Sequence, residues 1–161
     1  MAESVEADGV GTADGNTMEL VVPSLAVNAE LCRAAVAVFA AGLPFTLAEL
    51  EQLKVAVSEA VGNCALHAYG GEPGRVRLLA QLAAGAIVIE IQDWGRGISD
   101  VALARQPAYT TSHDPDHIGL GFAFMEQFTD ALEVESAPGE GTLVRMRKRP
   151  SGQAAGAAWS G

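Results

Sequence analysis

Hydrophobic positions along this chain switch between a spacing of two and a spacing near four, and the switches lay out its elements. Residues 18–22 form a short apolar strand closed by Pro23. The spacing then turns helical as far as Ala41, with Leu31, Ala34, Ala35 and Val38 on one face, until Gly42 and Pro44 stop it. A second helix opens on a clear signal. Thr46 and Glu49 make a capping box, Phe45 and Leu50 are placed for a hydrophobic staple, and Gly70-Gly71 ends the helix after Tyr69. Residues 75–82 and 86–93 read as strands around Ala84-Gly85. The near-continuous apolar run of the second puts it at the centre of a sheet. Residues 98–118 show little period, contain Pro107 and Pro115, and read as a long loop of the kind that is functional or mobile. A short helix follows over 121–128. Two last strands, 131–136 and 142–148, flank Pro138-Gly139; in the second, Thr142, Val144 and Met146 alternate with Leu143, Arg145 and Arg147. The order predicts an α+β two-layer sandwich, a mostly antiparallel mixed sheet with helices on one face.

Composition narrows this further. A chain of 161 residues that is 49% apolar fits one domain with its own core. The folded body is expected over residues 17–148, with 1–16 and 149–161 as flexible tails. No apolar run reaches the roughly 20 residues of a membrane helix. Glu3, Glu6 and Asp8 stand where a secretory signal would be basic. The formal charge of −10 repels phosphate backbones, so direct nucleic-acid and membrane contacts are not expected. The exception, Arg145, Arg147, Lys148 and Arg149, reads as a solvated strand face and end. Cys32 and Cys64 lack metal spacing and read as buried free thiols in a reducing cytoplasm.

Four short features carry candidate chemistry. Glu59, Asn63 and His67 are spaced by four and project from one side of the second helix. That stripe is either the wet face of an amphipathic helix or the wall of a site. Asp93 ends an apolar strand and is followed by Gly95 and Gly97. The carboxylate can accept from a base amine, and the glycines allow close backbone approach, although Asp-x-Gly-x-Gly is also a common turn. Gly119-Leu120-Gly121 opens a helix, where free N–H groups and the dipole favour phosphate. Gly139-x-Gly141-Thr142 is a tight hairpin or a ligand contact.

Taken together and in this order, these features resemble the ATP site of the GHKL superfamily, with its Bergerat-type fold. Val57-Ser58-Glu59-Ala60-Val61-Gly62-Asn63, Ala104-Arg105-Gln106-Pro107 with Thr110-Thr111, and Val134-Glu135-Ser136 are most similar to the anti-sigma F factor family of sporulating bacteria. The likeness extends over most of residues 18–148, including Asn28 and Arg33. It implies the cofactors ATP and Mg²⁺, with Asn63 as the metal ligand and Glu59 as the catalytic base toward a serine hydroxyl. It implies that Asp93 and Thr142 hold adenine, that Gly95 and Gly97 shape the base pocket, and that Gly119 and Gly121 lie at the phosphates beneath a lid of residues 98–118. The implied partners are a sporulation sigma factor, which is sequestered, and an anti-anti-sigma factor, which is phosphorylated. Arg33 would belong to the partner surface, and a homodimer is expected.

The chain also departs from that pattern. The family's lid carries a basic residue before the second glycine motif, whereas this chain has Asp116-His117-Ile118. Gly62 stands where Thr is usual, at a cost of about 1 kcal/mol relative to Ala in a helix. A nucleotide-dependent sigma-binding module without kinase activity is therefore the alternative expectation.

Overall fold

The computed structural model describes residues 15–107 and 120–152. Strand β1 (Thr17–Pro23) leads into helices α1 (Asn28–Ala40) and α2 (Leu47–Asn63), and α2 continues through a π-helical turn, Cys64–Ala68. Strands β2 (Arg75–Ala83) and β3 (Ala86–Asp93) follow, then a single helical turn α3 (Val101–Ala104), helix α4 (Gly121–Phe128) and strands β4 (Ala131–Ala137) and β5 (Gly141–Lys148). The five strands are ordered β1-β2-β3-β5-β4, and every pairing is antiparallel. The apolar run of β3 is central, as expected.

Local sequence accounts for the ends of these elements. The Thr46 hydroxyl accepts from the Glu49 N–H at 3.2 Å, and Glu49 accepts from the Thr46 N–H at 2.8 Å, so the capping box forms. The β2–β3 turn takes positive φ at both Ala84 (51°) and Gly85 (70°), as a two-residue hairpin matching strand twist requires.

One layer of core lies between helices and sheet. Val76, Leu78, Ala80 and Leu82 of β2 and Ile87, Ile89 and Ile91 of β3 face Leu53, Val57 and Val61 of α2, with Met125 and Met146 closing one side. Burial at alternate strand positions follows the pleat. The inward face of α1 differs from the face picked out by its spacing. Cys32, Val36 and Ala40 are fully buried, while Leu31 is 52% and Val38 78% exposed. The helix is apolar on two sides, and the side with small residues is the one that approaches α2 closely.

The C-terminal basic run also separates by face. Arg145 lies on the sheet's open side, where its guanidinium bonds Glu90 (2.8 Å) and Glu133 (3.0 Å). Lys148 shares the face of Val144 and Met146 and turns inward instead. Its ammonium donates to Gln52 Oε1 and the Phe128 carbonyl while its stem packs inside. Beyond β5, the Arg149 and Ser151 N–H groups donate to Asp130 and Glu49. Most of the two expected tails lies outside the described residues.

Candidate functional site

The π turn sits directly after Asn63 and holds Cys64, His67 and Ala68, widening the helix where the cavity begins. Such turns are common at functional sites. The sequence pattern shows a helix here and gives no sign of the wider turn.

The glycine loop after β3 docks on that turn. The Arg96 N–H donates to the Ala68 carbonyl at 2.7 Å, and a Cβ on Gly95 would collide with the same carbonyl. Gly97 has φ +73° and abuts the Ala137 carbonyl; Gly141 has φ +85° and abuts the Asp93 carbonyl. Only glycine fits at these three contacts, which bring α2, β3 and the β4–β5 hairpin together. Tyr69 adds a brace: its hydroxyl accepts from the Trp94 N–H (2.9 Å) and donates to the Arg75 carbonyl (2.5 Å). The Arg75 guanidinium stacks 3.8 Å over the Trp94 ring.

These contacts frame a cavity of about 450 Å³, within the range of small-molecule sites. Asn63, Asp93, Gly97, Gly121 and Thr142 all line it. Asp93 is 5% exposed; its Oδ1 accepts from the Gly95 N–H at 3.0 Å, and its Oδ2 lies 3.5 Å from the Cys64 thiol. Burial first, and then the Asp93 carboxylate, push the Cys64 pKa well up, so the sulfur keeps its proton and can donate. Each carboxylate oxygen retains a lone pair for a ligand amine.

At the far end, a Cβ placed on Gly121 would lie 3.0 Å from Glu59 Oε2 and 3.5 Å from Asn63 Nδ2. The heads of Glu59 and Asn63 therefore converge on the first residue of α4. The Leu120 cap position makes no side-chain hydrogen bond to the opening N–H groups of that helix. Uncapped donors at a helix start suit phosphate. Glu59 reaches this point without lining the cavity wall.

Two predicted residues sit elsewhere, and one lies outside the described residues. Gly95 does not line the cavity; it lets the loop dock. Arg33 lies on α1, ion-paired with Glu30 at 2.6 Å. Gly119 and most of the expected lid, with Thr110, Thr111 and His117, fall outside the described residues. The described start of the lid is held by the Asp100 side chain accepting from the Leu103 N–H (2.9 Å) and by Arg105 facing Glu126 of α4 (3.7 Å).

Sequence reasoning left Cys64, Arg96 and Ser136 without a functional role. Cys64 and Arg96 line the cavity, and Arg96 is the only Lys or Arg among the described lining residues. Ser136 lies opposite Thr142 in the hairpin, a pairing set by a three-residue loop, 138–140, where a two-residue turn at Pro138-Gly139 would have put Gly141 opposite Ser136.

The cavity suits ATP in particular ways. A buried carboxylate with spare lone pairs stands at one end, and at the other the start of α4, where the N-cap residue Leu120 offers no side-chain hydrogen bond. Among the described residues, no three His, Cys, Asp or Glu cluster as a metal site. A magnesium ion carried with phosphates needs only one or two protein ligands, so Asn63 is compatible with it.

Fold and cavity together define a nucleotide-binding domain of the histidine kinase-like ATPase type, and the profile of that domain family matches residues 22–148. The chain is 47% identical over 133 residues to the anti-sigma F factor of Caldanaerobacter subterraneus subsp. tengcongensis, covering 83% of this chain and 93% of the relative. It is 43% identical over 136 residues to that of Pasteuria penetrans, covering 83% and 91%. A crystal structure of the RsbU and RsbW domains of a Mycobacterium tuberculosis protein shares the fold, with TM-score 0.60 at 18% identity; the match covers 83% of this chain and 32% of that one. The chain belongs to the anti-sigma F factor family.

Proposed function

We propose that this protein is a cytoplasmic anti-sigma factor that binds a sporulation sigma factor and uses Mg-ATP to phosphorylate a serine of an anti-anti-sigma factor. The observation that carries this reading is one cavity lined by Asp93, Thr142 and Asn63, with the Glu59 head converging beside Asn63 on Gly121. A bound Mg-ATP supplies the transferable phosphoryl group. Asp93 and Thr142 hold the base, Asn63 holds the magnesium ion, and the α4 start at Gly121 receives phosphate oxygens, with Gly119 assigned there too. Glu59 takes the proton of the incoming serine hydroxyl. Phosphoryl transfer needs mainly such positioning and charge neutralisation.

Residues 17–148 form the kinase domain in this reading, assembled as a homodimer. Arg33 on α1, with Leu31 and Val38 exposed on the same helix and Val27 exposed just before it, offers a protein partner a mixed polar and apolar surface. Among the described residues, no helix is long and apolar enough to cross a membrane.

The test incubates the protein with labelled Mg-ATP and the antagonist protein. Label on an antagonist serine is expected, and its absence refutes the kinase. A second reading, nucleotide-dependent sigma binding without transfer, is favoured by the stretch Asp116-His117-Ile118, which lacks a permanent cation for the terminal phosphate. Tight ATP and sigma binding with no labelled product selects it.

A further inference from the structure

Ser136 sits where three strand ends and loop starts meet, and its hydroxyl makes three contacts of 2.8 Å. The Ile98 N–H points at it, the Gly141 carbonyl lies beside it, and the Thr142 hydroxyl faces it. Proton counting leaves one arrangement. A backbone N–H can only donate and a carbonyl can only accept, while a serine hydroxyl has a single proton. If that proton went to Thr142, two oxygens at 2.8 Å, Ser136 Oγ and Gly141 O, would face each other with none between them, a repulsive contact. The Ser136 proton therefore goes to Gly141, and Thr142 must give its own proton to Ser136. Toward the cavity, Thr142 then shows lone pairs only.

Thr142 is the direct cross-strand partner of Asp93. Cross-strand partners on one face hold their Cβ atoms about 5 Å apart, close enough for both side chains to reach one ligand group. Asp93 is itself an acceptor: its Oδ1 already takes the Gly95 N–H, and the Cys64 thiol, 3.5 Å from its Oδ2, is shared with the nearer Ala60 carbonyl at 3.3 Å.

We propose that Ser136 is a positioning residue that sets the polarity of the base pocket. By consuming the Thr142 proton it turns two neighbouring acceptors toward one ligand group, which favour a purine whose six-position amino group sits between them and oppose an oxo group at that position. The inference rests on the nucleotide reading of this cavity and adds a source of base selectivity to it.

The test compares binding of ATP and inosine triphosphate, which carries oxo in place of amino, each with magnesium, by calorimetry. The protein is used as wild type, Ser136→Ala and Ser136→Thr. Wild type is expected to favour ATP by about 100-fold, since an acceptor pair that includes the buried Asp93 carboxylate would oppose the oxo group. Ser136→Ala frees the Thr142 proton to turn outward, so the ratio should fall about tenfold, through tighter inosine triphosphate binding. Ser136→Thr keeps the hydroxyl and should keep the wild-type ratio. A merely structural serine would weaken both nucleotides alike and leave the ratio unchanged, which overturns the proposal. So does wild-type protein that binds the two equally, or Ser136→Thr behaving like Ser136→Ala. If Ser136→Ala does not melt cooperatively, Thr142→Val serves, with a falling ratio expected and an unchanged ratio contradicting. A folded wild type that binds neither nucleotide refutes the nucleotide reading itself, a separate outcome from equal binding.

Discussion

The two ends of the cavity are built by opposite means. At the base end, Asp93, Ser136 and Thr142 stand on strand ends, and their side chains are already hydrogen-bonded within the protein. At the end assigned to the phosphates, Glu59 and Asn63 project from α2 toward the start of α4, where the N-cap residue Leu120 offers no side-chain hydrogen bond. The first end is pre-organised and suited to telling one base from another. The second leaves backbone donors for charged oxygens and suits a group that changes during reaction. Rigid elements with supporting hydrogen bonds give the more precise recognition.

Glu59→Ala should draw the contrast most sharply. Phosphate transfer to the antagonist protein is expected to fall about 10²–10⁴-fold, the usual contribution of a general base. ATP affinity measured by calorimetry should stay within about threefold, because the residue acts in the reaction and not in uniform binding. Equal losses in both would make Glu59 a binding residue and blur the two ends into one.

Gly97→Ala attacks the base end through its backbone. The added Cβ meets the Ala137 carbonyl at a φ of +73°, a conformation an L side chain rarely adopts. A loss of about 2 kcal/mol in urea unfolding is expected. A variant as stable as wild type would mean that the loop re-docks freely and is not pre-organised.

Glu49 offers a third case, a carboxylate used wholly by the fold. Burial alone would raise its pKa, but hydrogen bonds from Thr46 and Ser151 outweigh that and hold it at about 2, below the ordinary 4.5. A depressed folded-state pKa contributes stability that is present above 4.5 and is lost as pH falls from there toward 2. Unfolding midpoints followed across that window should drop for wild type and drop less for Glu49→Gln. Parallel curves would show that Glu49 does not link the α2 start to the segment after β5.

The smallest effect is expected at Gly62, between the two functional positions of α2. An added Cβ meets nothing within 4 Å. Gly62→Ala should stabilise the helix by about 1 kcal/mol, seen as a higher unfolding midpoint. Lowered ATP affinity in this variant would mean that the ligand needs the bare backbone there.

Much of the frame was legible because local signals agreed. Thr46 and Glu49 gave the start of α2, Ala84-Gly85 gave a hairpin, and the apolar run of residues 86–93 gave the central strand. The four-residue spacing of Glu59 and Asn63 put both on one helix side, and their shared approach to Gly121 follows from it. The inward face of α1 was not legible, since Leu31 and Val38 are as apolar as Cys32 and Val36 and only packing against α2 decides between them. Cys64 against Asp93 was equally hidden, because it joins residues 29 positions apart through a π turn that periodicity does not report. Ser136 was hidden too, because counting from Pro138-Gly139 misses the three-residue loop that puts it opposite Thr142, and its effect depends on where one proton goes, which only the assembled contacts decide.

The central claim is that the Asp93 carboxylate and the Asn63 amide grip one nucleotide. Calorimetric titration of Mg-ATP into wild type and Asp93→Asn tests it most directly. One site per chain in wild type and affinity about 100-fold weaker in a folded Asp93→Asn is the expected result, the loss of a hydrogen bond to a buried charge. No heat of binding in folded wild type, or equal affinity in the variant, would contradict it.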